Sequence, residues 1–160
     1  MSPILSYLIV FLVSMVPIIE LRGAIPIGVG MGVPEWLALL IAIVGNLIPV
    51  PFIYKFARRF LVWGSKKSWK PLSKFCNFCL KKGEKAGKKI QKKAGDSIFL
   101  ALFLFVGIPL PGTGVWTGTL AASLLDLDYK KTVIGVSCGV LLAGAIMFAV
   151  SFGLFNIVFN

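Results

Sequence analysis

The chain has 160 residues, of which 58% are apolar, with a formal net charge of +11 and a mean hydropathy of +0.91. This apolar share exceeds the roughly one half that is usual in soluble domains, and the length leaves no room for a separate soluble domain. Such a charge could indicate nucleic-acid binding, but 14 of the 17 Lys and Arg residues lie between Lys55 and Lys93. A basic segment between apolar stretches is typical of the cytoplasmic side of a membrane protein, where it faces anionic lipids. We therefore expect membrane lipids as partners and no nucleic acid.

The first apolar stretch contains two charged residues, Glu20 and Arg22. An ionisable group at membrane depth costs roughly 2.5–3.5 kcal/mol on insertion scales. The two charges lie among Pro17, Gly23 and Pro26, which disfavour a continuous helix. Broken backbone beside a buried charge is typical of a transport site in a membrane protein.

The same stretch predicts a helical hairpin that enters the membrane and returns. Residues 3–17 would descend, residues 20–26 would turn, and the glycine-rich residues 27–32 would return. No basic residue precedes the apolar run and no cleavage motif follows it, so residues 1–30 are expected to remain in the mature protein.

The second apolar stretch, Trp36–Tyr54, has 19 uncharged residues, enough to cross a bilayer. It contains Asn46, whose amide needs a partner in hydrocarbon and could line a path or cross-link two helices.

The basic segment that follows includes Leu72, Phe75, Cys76, Cys79 and Leu80, which share one face of a helix. Such a helix is expected in the membrane interface. The Cys76/Cys79 pair could be half of a metal site or a redox pair, but the chain has no histidine and no second pair to complete a metal site. We therefore expect a helix face, with no metal and no cofactor.

The third stretch, Ser97–Leu125, is interrupted by the proline- and glycine-rich residues 107–114. Its arms, Ser97–Ile108 and Val115–Leu125, would each be roughly 17 Å long, about half of a hydrocarbon core. A second hairpin that dips and returns would place Lys130 and Lys131 on the same side as the basic segment. The fourth stretch, Thr132–Phe159, has 28 uncharged residues and predicts a full span.

The predicted fold is an all-α membrane protein with an inverted repeat, in which a re-entrant hairpin precedes a transmembrane helix twice. One membrane domain, 1–160, would comprise a first hairpin and span (1–54), a basic cytoplasmic or interfacial segment (55–96), and a second hairpin and span (97–160). Both termini would lie outside a multi-pass protein of the cell membrane. Both halves have proline and glycine at the tip and glycine in the span, at Gly45 and at Gly135, Gly139 and Gly144. The alternative is four plain spanning helices with proline kinks.

Residues 20–28, ELRGAIPIG, and 108–118, IPLPGTGVWTG, resemble the paired signatures of the small multidrug export family, as do residues 45–52, GNLIPVPF. The resemblance covers nearly the whole chain. This family is similar in architecture to the DedA, or VTT-domain, proteins, which implies two opposed re-entrant hairpins and proton-dependent movement of lipids such as polyprenyl phosphate. The chain is shorter than the DedA pattern, and its second tip has no arginine or acid.

Candidate substrate- and proton-binding residues come from both hairpins and the first span: Glu20, Arg22, Pro26, Asn46, Pro109, Pro111, Gly112, Thr113, Gly114, Trp116 and Thr117. Burial disfavours a charged carboxyl group whereas a nearby cation favours it. Glu20 could therefore change its charge as a proton carrier, or form a fixed ion pair. Arg22 could receive an anionic headgroup or only neutralise Glu20. Backbone N–H groups freed at the second tip could bind an anion, and freed carbonyls could bind a cation.

The leading functional prediction is a transporter or flippase with proton coupling, which moves an anionic lipid phosphate or a small-molecule drug. Arg22 favours an anion. The alternative is a non-transporting scaffold or a passive lipid scramblase. An enzyme is not expected, because the sequence offers no histidine, no metal cluster and no paired carboxylates at the membrane midplane. Since few segments span the membrane, we expect a homodimer.

Overall fold

The computed structural model describes residues 2–66, 70–94, 97–110 and 113–159, and in them the chain forms eight helices and no strand. The all-α prediction is thus confirmed. The helices are α1 (Pro3–Met15), α2 (Glu20–Gly30), α3 (Glu35–Leu47), α4 (Pro49–Ser65), α5 (Lys70–Ala94), α6 (Ser97–Gly107), α7 (Val115–Leu124) and α8 (Tyr129–Phe159).

Among the described residues, two helical segments are long and apolar enough to cross a membrane. They are Glu35–Ser65, formed by α3 and α4 in succession over 31 residues, and the 25 residues Tyr129–Gly153 of α8. The predicted first span ended at Tyr54, but α4 continues to Ser65. No Gly or Pro interrupts residues 55–63, so the helix persists after the apolar stretch ends.

The turn of the first helix pair lies at residues 16–19, not at the predicted residues 20–26. Val16 is extended because the following Pro17 disfavours the helical conformation, and Ile18 at the turn has a φ of 79°. Glu20 begins α2, and Pro26 lies inside that helix. Gly23 and Pro26 were therefore wrong as signs of a break, since α2 continues through both, and membrane helices tolerate glycine and proline.

The second helix pair agrees with its predicted arms to within one residue at each end. Its two helices diverge, because α6 packs mainly on α8 while α7 packs mainly on α4. The helices α6 and α7 therefore make few contacts with each other.

The order of two short helices followed by a long one occurs twice, and the packing repeats with it. The first short helix packs on the long helix of its own half, α1 on α3 and α6 on α8. The second short helix also packs on the long helix of the other half, α2 on α8 and α7 on α4. Gly45 and Gly139 occupy equivalent contacts: a Cβ atom would lie 2.7 Å from the Phe11 carbonyl oxygen at Gly45, and 2.9 Å from that of Phe103 at Gly139.

The shared core contains Val10, Ile25, Val106 and Val140 from four different helices. The outer faces expose large apolar side chains, including Ile4 at 78% and other residues along α1, α3 and α4. An apolar surface of this extent is unusual for a water-soluble monomer and suits contact with lipid. The basic helix α5 lies against α4 and buries Cys76, so part of the predicted amphipathic face packs on the protein.

Candidate functional site

Glu20 binds the beginning of α7. Its side chain is only 5% exposed, and its carboxylate accepts hydrogen bonds from the backbone N–H groups of Val115 (3.3 Å to Oε2) and Trp116 (3.2 Å to Oε1). The first N–H groups of a helix have no acceptor within the helix, and they form its partly positive end. Glu20 therefore supplies both the missing acceptor and the opposite charge.

Arg22 binds the end of α6 and the linker that follows it. One guanidinium nitrogen, Nη1, donates to the carbonyl oxygen of Leu110 at 2.6 Å. The other, Nη2, lies 3.1 Å from the Thr113 hydroxyl, 3.4 Å from the Ile108 carbonyl oxygen and 3.5 Å from that of Val106. The last carbonyls of a helix lack donors and form its partly negative end, so a cation is favoured there.

We call this contact the hairpin junction: Glu20 and Arg22 of α2, the end of α6, and the beginning of α7. The two charged side chains face helix ends of opposite sign in the second pair. Among the described residues, neither side chain takes part in an ion pair; the ion pairs found there involve Arg58. The charges therefore satisfy backbone groups that the second pair leaves open, and a buried backbone group without a partner would be costly.

Gly114 allows the close approach of Glu20 to α7. Its φ of 148° is a conformation that side chains rarely adopt, and a Cβ atom there would lie 2.4 Å and 2.7 Å from the two carboxylate oxygens of Glu20. Trp116 adds a third link, since its indole Nε1 donates to the carbonyl oxygen of Met15 at 3.1 Å. The ends of α1, α2, α6 and α7 thus meet at one place.

Other predicted site residues lie apart from these bonds. Pro26 is exposed on α2, Pro109 is half-buried in the linker, and the exposed Thr117 donates to the Gly114 carbonyl oxygen at 3.4 Å. Pro111 and Gly112 lie outside the described residues. In the part of the chain that the structure describes, no three His, Cys, Asp or Glu residues lie close enough to hold a metal ion.

Asn46 is fully buried, and within the described ranges neither its Oδ1 nor its Nδ2 atom has a hydrogen-bond partner. The hydroxyl groups of Thr119 and Thr132 are likewise buried without one there. A buried polar group without a partner is costly, so Asn46 remains a candidate for contact with water or a ligand.

Sequence reasoning missed the contact between α4 and α7. The Ser123 hydroxyl donates to the Tyr54 carbonyl oxygen at 2.7 Å, and the Tyr54 hydroxyl donates to the Leu127 carbonyl oxygen. One turn further along α4, Arg58 forms ion pairs with Asp126 and, at 3.9 Å, with Glu84 of α5. The sequence signal was the presence of opposite charges at Arg58 and Asp126, but the sequence alone does not show that residues so far apart in the chain are in contact.

The model of the family described as "Putative small multi-drug export protein" matches residues 20–146. This match begins at Glu20 and includes both sides of the hairpin junction. The chain belongs to this family. No curated protein and no solved structure gives a significant match. Family membership and the two long apolar helices identify a membrane protein of an exporter family.

Proposed function

We propose that this family member is a proton-coupled membrane transporter of an anionic lipid phosphate, which opens and closes at the hairpin junction. The observation that carries the proposal is the bonding of Glu20 to the Val115 and Trp116 N–H groups at the beginning of α7. The beginning of a helix can bind an anion, and the Glu20 carboxylate occupies the N–H groups that such an anion would use. The exporter description of the family supports transport at the coarse level.

The proposed architecture is an inverted repeat of re-entrant hairpins. The short helices have 13, 11, 11 and 10 residues, and a helix of this length covers roughly half of a hydrocarbon core. The repeated packing of short on long helices supports the repeat. With the basic residues cytoplasmic and the termini outside, the first hairpin enters from outside and the second from the cytoplasm.

The directions of the packed helices agree with this arrangement. Tyr54 of α4 contacts Ser123 of α7, and Arg58, one turn later, contacts Asp126 just after α7. These contacts advance together along both helices, so α4 and α7 run the same way. In the proposed topology both lead to the cytoplasm, and the beginning of α7 lies near the midplane beside Glu20.

Protonation of Glu20 would couple proton and anion binding. A charged carboxylate occupies the Val115 and Trp116 N–H groups, whereas a protonated one binds them weakly and leaves them for a phosphate oxygen. Arg22 stays charged and keeps the end of α6 in place. One proton would thus enter the site with each anionic group, which favours an anion over a cationic drug.

The test is reconstitution into liposomes with fluorescent polyprenyl phosphate and an imposed pH gradient. An impermeant quencher reports the fraction of lipid in the outer leaflet over time. We expect the gradient to drive net movement with the wild type, and Glu20→Gln to move lipid without dependence on the gradient. Glu35→Gln, at the first turn of α3, is the matched control and should behave as the wild type. A folded Glu20→Gln protein that keeps the full gradient dependence would overturn the proposal.

A further inference from the structure

An open groove with a volume of about 990 Å³ lies between α4 and α7. Residues 52–59 and Val62 of α4 line it, together with Trp116 and Leu120 of α7. It is separate from the Glu20 and Arg22 side chains, but Trp116 belongs to both places. The volume is at the upper end of the range for ligand pockets.

The groove passes from apolar residues to a basic region along α4. Phe52 lies near the beginning of α4, and Trp116 and Leu120 line the groove from the first and second turns of α7. Lys55 and Arg59 follow along α4, where Arg58 meets Asp126. Phe56 lies beside Lys55 within the basic region, and Val62 follows it. Phe52 and Phe56 are 69% and 68% exposed, so the apolar wall has no covering from the described chain.

Two of the three cations in the basic region are available to a ligand. Asp126 and Glu84 neutralise Arg58. Lys55 lies over the Tyr129 ring, 5.7 Å from its centroid, which leaves its ammonium donors exposed. Arg59 is exposed and has no hydrogen-bond or ion-pair partner among the described residues. A planar guanidinium beside an ammonium suits a phosphate group.

We infer that this groove binds an anionic phospholipid, with its phosphate at Lys55 and Arg59 and an acyl chain along Phe52, Phe56 and Leu120 toward Trp116. Charge complementarity selects the headgroup, and the exposed apolar residues next to the two cations, Phe52 and Phe56, suit an acyl chain. This inference goes beyond the proposed transport, because equilibrium binding does not require that the lipid be moved.

Trp116 is a built-in reporter of this site. We would replace Trp36, Trp63 and Trp69 by Phe and place the protein in phosphatidylcholine bilayers. Phosphatidylglycerol with brominated chains quenches a Trp that it touches. Its quenching is compared with that by brominated phosphatidylcholine, and the ratio of the two binding constants gives the selectivity at Trp116.

We expect selectivity for the anionic lipid at Trp116, and a fall of about fivefold for each cation removed in Lys55→Gln and Arg59→Gln, since one basic residue near a membrane surface contributes about a fivefold change in binding. Lys74→Gln with Lys85→Gln removes the same charge from exposed positions on α5 and should leave the selectivity unchanged.

A second reporter separates the groove from general attraction of anionic lipid to a basic protein. A variant that keeps only Trp36, which is 60% exposed at the start of α3, should show no selectivity. Equal selectivity at Trp36 and Trp116, or an unchanged ratio after loss of both groove cations, would overturn the inference. Absence of quenching of Trp116 by either lipid would also overturn it, because the groove would then be covered by protein, such as a second copy of the chain.

Discussion

The hairpin junction makes a quantitative prediction about stability when Glu20 is replaced. The carboxylate accepts two N–H bonds, from Val115 at 3.3 Å and from Trp116 at 3.2 Å. Hydrogen bonds to charged groups contribute about 1.5–3 kcal/mol each, and these two are longer than the usual 2.7–2.9 Å. At about 1.5 kcal/mol for each bond, Glu20→Ala should lower the free energy of unfolding by about 3 kcal/mol. This is an upper estimate, because removing a buried carboxylate also removes its desolvation cost.

Glu20→Gln should lie between Glu20→Ala and the wild type. The amide oxygen still accepts one N–H bond, but the opposite charge at the positive end of α7 is lost. We expect a loss of about 1–2 kcal/mol, from one neutral hydrogen bond in place of two charged ones.

The free energy of unfolding in mixed micelles can be measured from the loss of helical circular dichroism with increasing dodecyl sulfate. Glu35→Ala removes an acidic residue from the first turn of α3, away from the junction, and should change it by less than about 1 kcal/mol. If Glu20→Ala were as stable as the wild type to within about 0.5 kcal/mol, the junction would not hold α7 as described.

Two further predictions concern Gly114 and the topology. Gly114→Ala should lower the free energy of unfolding by about 1–3 kcal/mol, because the φ of Gly114 is unfavourable for alanine and the new Cβ atom would contact Glu20. Gly30→Ala in α2 should be neutral or stabilising, because nothing lies within 4 Å of its Cβ position, and equal effects of the two substitutions would contradict this account. In a variant without native cysteines, Gly30→Cys should react with an impermeant maleimide from outside and Lys130→Cys from the cytoplasm, and labelling of both from one side would refute the proposed topology.

The second helix pair was predictable because its chemistry is local. Residues 107–114 concentrate proline and glycine between two uninterrupted apolar runs, and the arms follow from those bounds. The first turn was misplaced because Pro17 and Pro26 are equally good breakers by sequence. In the structure the chain turns at Pro17, and α2 starts at Glu20.

That Glu20 and Arg22 need polar partners was also predictable, but not which partners they have. An ion pair between neighbours is the local solution for Glu20 and Arg22, whereas the structure satisfies them with backbone 84–96 residues away. Backbone acceptors and donors leave no mark in a sequence. The groove between α4 and α7 was missed for the same reason, since it depends on how two distant helices pack.

The long separation between Glu20 and its partners has a consequence for synthesis in the cell. Val115 is 95 residues later in the chain, so at usual elongation rates it emerges about 5–20 s after Glu20. During that interval the first helix pair carries two charges that no helix end yet satisfies, and inserting these charges into hydrocarbon would be unfavourable. We expect the nascent first pair to remain in contact with water, at the insertion machinery or the membrane surface, and to insert fully only after α6 and α7 have been synthesised.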